Sequence, residues 1–189
     1  MKYKDWDKEY ELGTHWEDKP SKYMGHFEKY LSTGDLILDA GCGTGRDCQY
    51  LSDKGYRLIG TDLSESAIKK AKERNLPCDF RIESIENNSF SDDSFDKIYC
   101  GHVLHSTDLE KAVSELHRIL KPDGTLFVVM YESTIYEDGS EQHPSRSHEG
   151  ITSLFEKYFK VLDEQVTVSD DEDRFGKHRH VRLVIVLRK

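Results

Sequence analysis

Three glycines and one aspartate have the spacing of a nucleoside-binding turn. Gly41, Gly43 and Gly45 follow the apolar run 36–38, and Asp62 stands 21 positions beyond Gly41, at the end of a second apolar run. Glycine lets the backbone turn tightly and lets a ligand approach the main chain, while a helix that follows offers free N–H groups. Nucleoside-binding α/β domains hold the ribose hydroxyls with a carboxylate at this place. The spacing predicts a nucleoside site; the alternative is a purely structural turn with Asp62 at the surface.

The sixth position of the turn distinguishes between nucleosides. A dinucleotide fingerprint reads G-x-G-x-x-G, but this chain has Arg46 there, and a bulky side chain opposes close helix–strand packing. The sequence also has no G-x-x-x-x-G-K-[ST] loop. Both observations disfavour a nicotinamide-dependent oxidoreductase and a P-loop site, although the oxidoreductase stays a rival hypothesis.

The elements that position this turn alternate between strand and helix. The early strands are continuous apolar runs, which indicates a parallel sheet covered on both faces. The last two strands are joined by a short acidic stretch, so we expect an antiparallel hairpin at the sheet edge. The predicted strands span 36–38, 57–60, 78–82, 95–100, 126–131, 161–168 and 181–187. The predicted helices span 20–31, 46–54, 64–74, 109–120 and 151–158.

Three further local features are predicted from residue type. Ser64 and Asp108 are expected to cap the helices that follow them. Residues 121–124, which contain Pro and Gly, are expected to form a turn, and the polar stretch 132–148 a loop.

Composition limits the class of protein. A length of 189 residues suits one domain, predicted as 1–189 with an N-terminal cap segment 1–34 and a sheet core 35–189. The net charge of −9 disfavours nucleic acid, and the basic cluster 177–182 is interpreted as a solvated strand edge. No apolar run reaches 18 residues, so no membrane span is expected. The N-terminus lacks an apolar signal and the four cysteines form no C-x-x-C pair, which predicts a cytoplasmic protein without a metal site.

Several motifs together resemble those of a known family. Residues 36–45, LILDAGCGTG, look like the signature of class I S-adenosylmethionine-dependent methyltransferases, and 60–64, GTDLS, look like their second motif. Residues 90–96, 103–105 and 120–124 resemble the later segments of the same family. The resemblance covers about residues 35–130, and the lead-in is weakly similar to tellurite-resistance-type and thiopurine methyltransferases. It implies an α/β, Rossmann-like class I methyltransferase fold with a seven-stranded, mostly parallel sheet, an antiparallel C-terminal hairpin and helices on both faces.

The resemblance assigns a role to individual residues around S-adenosyl-L-methionine. Asp39 and the turn would face the methionine part, Arg46 its carboxylate, Asp62 the ribose and Leu63 the adenine. The family often has an Asp-Ala pair after the third strand, and this chain departs from it with Ser84 and Ile85. The implied cofactor-binding residues are Asp39, Gly41, Cys42, Gly43, Gly45, Arg46, Asp62, Leu63, Ser84, Ile85, Cys100, Gly101 and His105.

Methyl transfer requires little covalent catalysis by the protein, because the methyl group is carried on a sulfonium, which is already a good leaving group. Holding the acceptor in line and excluding water supply most of the acceleration. His102, His105 and Tyr131 stand at the ends of the fourth and fifth strands and are candidate bases, with packing as the alternative role. The resemblance implies a methyltransferase, and the small enclosed pocket expected from the short segments around the sheet suits a small-molecule acceptor. A protein acceptor and a non-catalytic, partner-stabilising subunit stay open.

The acceptor pocket is expected to lie between the N-terminal segment and the loop 131–150. Trp6, Tyr10, Trp16 and Tyr23 form either a lid over the cofactor or a structural flap. His143 and His148 are placed in that loop, within reach of an acceptor or in solvent.

Overall fold

Five parallel strands form one half of the sheet in the computed structural model, which describes residues 5–13, 19–142, 146–173 and 176–189. Most of their apolar residues are buried on both faces, as continuous runs require, although Ile82 of the edge strand is 51% exposed. The strands are β1 (Leu36–Ala40), β2 (Arg57–Asp62), β3 (Cys78–Ile82), β4 (Phe95–Gly101) and β5 (Leu120–Tyr136). Their carboxyl ends meet along one edge of the sheet, so the ends of β1, β2 and β4 lie side by side.

The C-terminal strands complete the sheet as an antiparallel hairpin, as predicted. They are β7 (Lys160–Asp173) and β8 (Gly176–Arg188), and a two-residue strand, β6 (Glu141–Gln142), pairs with β5. The order is β3-β2-β1-β4-β5-β8-β7, with β8 antiparallel to both neighbours. Both hairpin strands are longer than predicted, because the acidic stretch 170–173 continues β7 and pairs with the basic end of β8.

Helices cover the two faces of the sheet. The helices are α1 (Trp6–Glu11), α2 (Met24–Phe27), α3 (Arg46–Asp53), α4 (Glu65–Glu73), α5 (Leu109–Ile119) and α6 (His148–Glu156). Side chains of α2, α3 and α4 pack on one face and those of α5 and α6 on the other. None of the helices in the described ranges is long and apolar enough to cross a bilayer.

The predicted caps form as expected. The side chain of Ser64 accepts the N–H of Ala67 at the start of α4, and Asp108 accepts the N–H of Lys111 at the start of α5. Gly55 follows the end of α3 with φ +83°, a left-handed conformation that suits glycine after a helix.

Three local predictions are corrected. The stretch 132–148 is not all loop: β5 continues to Tyr136, and a bulge at Glu132 lets the extended strand keep pairing with β8. The helix predicted over 20–31 is α2 followed by a 3₁₀ turn at Glu28–Tyr30. The turn at 121–124 lies inside the span of β5, where Phe95 pairs with Leu120 and the pairing resumes only between Lys97 and Thr125.

Candidate functional site

The glycine turn after β1 is tied to the neighbouring strand. The N–H groups of Gly41 and Cys42 both donate to the carbonyl of Thr61, at 2.7 and 2.8 Å. Gly41 and Gly43 have φ values of +81° and +54°, which glycine adopts at no steric cost. A Cβ on Gly41 would lie 2.1 Å from Cγ2 of Val103, so no side chain fits at this position of the turn. Gly45 then caps the start of α3.

Asp62 ends β2 directly beside this turn. Its Oδ2 accepts the N–H of Gly43 at 2.9 Å, and its Oδ1 accepts the N–H of Ser64 at 2.9 Å. Burial raises the pKa of this carboxyl above its usual range. Asp62 is therefore not a surface residue apart from the turn: its carboxylate holds the glycine turn in place as well as facing the crevice.

A second, fully buried carboxylate lies below the turn. Asp39 is 2% exposed and accepts a hydrogen bond from the thiol of Cys48. Burial, with the charge of Asp47 adding to it, raises the pKa of Asp39 to about 8. Asp47 in turn accepts the N–H of Ser21 at 2.6 Å and lies 4.0 Å from Nε of Arg46. This network links the first residues of α3 to the segment before α2.

The N-terminal helix α1 covers the crevice. A Cβ on Gly43 would lie 2.7 Å from the hydroxyl of Tyr10, so the Tyr10 ring lies over the turn. Burial and the charge of Asp62 raise the pKa of this phenol. Asp7 anchors the helix by accepting the hydroxyl of Ser64 at 2.7 Å and the N–H of Ser66 at 3.0 Å. Of the other aromatic residues in the lid hypothesis, Tyr23 is buried on the sheet, Trp6 is half-buried in α1, and Trp16 lies outside the described residues.

The residues assigned to the adenine end follow β2 and β3. Leu63 is 59% exposed beside Asp62. The N–H of Glu83 donates to the carbonyl of Asp62 at 3.1 Å, which brings the start of the next loop to the crevice. In that loop Ser84 bridges to Asn87, and Ile85 packs against the core below.

The end of β4 carries a histidine in a strained conformation. Cys100 is fully buried, and Gly101 is packed against Tyr99, leaving no room for a side chain. His102 follows with φ +62°, a region that costs most residues about 1–2 kcal/mol, and its N–H donates to Val129 at 2.7 Å. Its Nδ1 is buried and has no hydrogen-bond partner among the described residues. Burial, followed by the charge of Arg182, lowers the pKa of His102 to about 3, so the ring is neutral at physiological pH.

The three candidate bases lie together, with the rings of His102 and His105 packed against the ring of Tyr131. The ring of Tyr131 lies 5.1 Å from that of His102 and 4.7 Å from that of His105, measured between centroids. The structure thus brings together the residues that the sequence placed at the ends of β4 and β5. His148 is elsewhere, paired with Glu132 and Glu164, and His143 lies outside the described residues.

The sequence interpretation missed two residues of this group. His180 lies 4.4 Å from the Tyr131 ring between centroids, and the guanidinium of Arg182 lies 5.1 Å from its centroid. Both were interpreted as part of a solvated strand edge, yet Arg182 is 7% exposed. The available signal was their period of two, which places both side chains on one face of β8.

Comparison with known proteins gives the family. Residues 38–128 match the family described as a methyltransferase domain. The sterol 24-C-methyltransferase of Saccharomyces cerevisiae is 31% identical over 160 residues, which cover 75% of this chain and 42% of that protein. A human mitochondrial protein named as an arginine-hydroxylase is 34% identical over 105 residues, covering 54% of this chain and 30% of that protein. The chain spans less than half the length of these relatives.

A solved structure agrees with the fold. The 1,6-didemethyltoxoflavin-N1-methyltransferase of Burkholderia thailandensis, bound to 1,6-didemethyltoxoflavin and S-adenosylhomocysteine, has a TM-score of 0.74 at 20% identity, covering 98% of this chain and 85% of that one. Residues 38–128 of this chain match the methyltransferase domain family, and the chain has the fold of class I S-adenosylmethionine-dependent methyltransferases. The comparisons therefore support S-adenosylmethionine as the cofactor over the nicotinamide of the rival hypothesis.

The described residues of the methyltransferase domain fit this cofactor. Gly41 and Gly43 have positive φ, and a Cβ on either would collide with Val103 or Tyr10, so only glycine fits the turn. Asp62 has oxygen acceptors at the end of β2, and the start of α3 offers N–H groups and Arg46 to a carboxylate. Across the described ranges, no three His, Cys, Asp or Glu side chains are grouped so as to hold a metal ion.

Proposed function

We propose that this chain transfers the methyl group of S-adenosylmethionine to a small-molecule acceptor. The observation that supports it best is the adjacency of two features at one sheet edge. The glycine turn and Asp62 lie at the ends of β1 and β2, and the ring of Tyr131 with its histidines lies beside the end of β4, at the bulge of β5. A cofactor in the first would present its reactive end toward the second, as ligands of open parallel sheets do.

The residues that hold the cofactor are the ones named from the sequence, with one addition. Asp62 would bind the ribose, Arg46 and the α3 N-terminus the carboxylate, and Asp39 would underlie the turn. Tyr10 is the addition within α1, because it lies over Gly43 and next to Asp62. When bound, the cofactor supplies an electrophilic methyl group on a sulfonium.

The chain itself supplies enclosure and orientation. The lid helix α1 and the buried ends of β4 and β5 keep water from the acceptor, which strengthens each polar contact. His102 is neutral and its buried Nδ1 has no partner among the described residues, so it can accept a hydrogen bond from the acceptor molecule and orient it, while its low pKa disfavours a role as the base. We infer that the 189 residues act as one domain, with residues 1–34 as the cap.

The test is transfer of a labelled methyl group. Purified protein is incubated with methyl-labelled S-adenosylmethionine and a small-molecule fraction of cell extract, and separately with the protein fraction. We expect label in the small-molecule fraction, at a rate unchanged by a metal chelator. Gly43→Val serves as the variant without a cofactor site. Label found only in protein would overturn the small-molecule acceptor.

A non-catalytic role is the second candidate, because a fold does not fix a function. One relative is named as an arginine-hydroxylase and not as a methyltransferase, so similarity to these proteins does not by itself establish methyl transfer. Tight binding of S-adenosylmethionine with no transfer to either fraction would favour this alternative over the proposed enzyme.

A further inference from the structure

The aromatic ring of Tyr131 is enclosed by basic side chains from two strands. His102 and His105 approach it from the end of β4, and His180 and Arg182 approach it from β8. We define these four residues with Tyr131 as the Tyr131 cluster. Arg182 also bonds the hydroxyl of Ser169 on β7, so its guanidinium is fixed in place. The cluster therefore has donors held in a defined geometry around a planar floor.

The bulge in β5 is what builds this cluster. Tyr131 pairs with Arg182, but Ser133 pairs with Val181, so Glu132 is the extra residue. After the bulge, Thr134 and not Ser133 shares the face of Tyr131, and its hydroxyl reaches Nδ1 of His180 at 3.0 Å. Bulges recur next to active sites because they redirect side chains in this way.

Hydrogen bonds assign the protonation of the β8 histidines. Nδ1 of His178 lies 3.0 Å from the carbonyl of Gly176, which only accepts, so this nitrogen carries a proton. Nε2 of His178 then accepts from Nε2 of His180, at 3.0 Å, and Nδ1 of His180 accepts from the hydroxyl of Thr134. All of these bonds can form with both rings uncharged, so Arg182 is the residue of the cluster that carries a permanent positive charge.

The cluster holds a buried positive charge in a protein whose net charge is −9. Arg182 is 7% exposed, and its charge adds to the effect of burial in lowering the pKa of His102. A buried guanidinium over an aromatic ring is suited to an oxyanion, because its N–H groups match two oxygens in one plane. Local positive potential in an acidic protein attracts anions selectively to that place.

We propose that the Tyr131 cluster is the acceptor subsite and that it selects small planar acceptors bearing an anionic oxygen group. Arg182 binds that group, and the rings of Tyr131 and His102 hold the body of the acceptor. The proposal rests on the proposed methyl transfer for its place beside the cofactor, and it adds the chemical class of the acceptor.

The experiment compares ligands of one shape and different charge. Benzoate, phenyl phosphate, benzamide and benzylamine are titrated into the protein saturated with S-adenosylhomocysteine, and binding is followed by NMR chemical shifts. We expect benzoate or phenyl phosphate to bind about tenfold or more tightly than benzamide and benzylamine, the factor that one hydrogen bond to a charged group provides. A preference for phenyl phosphate over benzoate would identify a phosphate-bearing acceptor, and the reverse a carboxylate.

Matched variants assign the preference to its residue. Arg182→Gln should remove the preference for anions and leave benzamide binding unchanged. Arg179→Gln, on the same strand and opposite face and ion-paired with Asp170, removes the same charge and should behave as the parent. Arg182→Lys should keep a part of the preference, since it keeps the charge.

Two results would overturn the inference. One is equal binding of benzoate and benzamide by the parent, which decides the matter even where Arg182→Gln fails to fold. The other is an unchanged preference in folded Arg182→Gln. Binding of S-adenosylhomocysteine is measured in the same samples, so loss of the methyltransferase proposal is distinguishable from loss of the acceptor class.

Discussion

The carboxylate of Asp62 has two proposed roles, which are to bind the ribose of the cofactor and to accept backbone N–H groups of the protein. Replacing Asp62 should therefore change both cofactor affinity and stability. In the proposed complex the carboxylate accepts hydrogen bonds from the ribose hydroxyls. A hydrogen bond to a charged group contributes about 1.5–3 kcal/mol, and each 1.4 kcal/mol is about tenfold in affinity. Asp62→Ala should therefore weaken S-adenosylmethionine binding by about 10- to 100-fold. Asp62→Asn should weaken it less, because the amide keeps one acceptor.

The same substitution should lower the stability of the empty protein. Alanine leaves the N–H groups of Gly43 and Ser64 without the oxygens that they now reach at 2.9 Å. Water replaces part of each bond at a half-buried position, so we expect a loss of about 2 kcal/mol in total. For a domain of this size that is a fall of about 4–8 °C in melting temperature.

Asp96 provides the matched control. Its Oδ2 accepts the N–H of Leu36 at 2.9 Å, a bond of the same kind at the opposite end of the sheet. Asp96→Ala should lower the melting temperature and leave the affinity unchanged. Calorimetric titrations of the folded variants and melts without ligand measure the two effects. Equal affinities of Asp62→Ala and Asp96→Ala would refute the placement of the ribose.

Three further perturbations test other parts of the account. Gly43→Val should abolish cofactor binding in a folded protein, because valine resists φ +54° and its Cβ would lie 2.7 Å from the Tyr10 hydroxyl. Near-normal affinity in a calorimetric titration would mean that the turn is structural only. Tyr10→Ala should speed cofactor release about tenfold or more if α1 is a lid, and an unchanged rate in stopped-flow measurements would make it a flap. The hydrogen bond that Nδ1 of His148 donates to Glu132 raises the pKa of His148. This pair therefore stabilises the fold below the ordinary histidine pKa of 6.5 and loses that contribution as pH rises through the raised value. His148→Gln should lose most stability near pH 6 and least near pH 9, and a pH-independent difference in chemical melts would contradict this.

The parallel half of the fold was predictable from local sequence. Its strands are apolar runs, and its caps are single residues such as Ser64 and Asp108 whose side chains bond their own helix. The glycine turn and the end-of-strand Asp62 were also readable, since both follow from the position of one residue relative to one strand. The bonds that Asp62 makes to the turn were not, because they depend on how the turn folds back.

The parts that escaped prediction depend on distant partners. Helix α1 has six residues, too few to be stable alone, and it is held by Asp7 on the start of α4. The extension of β5 past Tyr131 needs the bulge and the facing strand β8, which lies some 50 residues later. Arg182 looked like a surface residue in a polar run, because burial of its side chain is decided by β5 and β7.

The most direct test of the central claim is a calorimetric titration of the purified protein with S-adenosylhomocysteine and, in parallel, with NAD. We expect saturable binding of S-adenosylhomocysteine at one site per chain, loss of this binding in Gly43→Val, and no binding of NAD. Binding of NAD without binding of S-adenosylhomocysteine would contradict it.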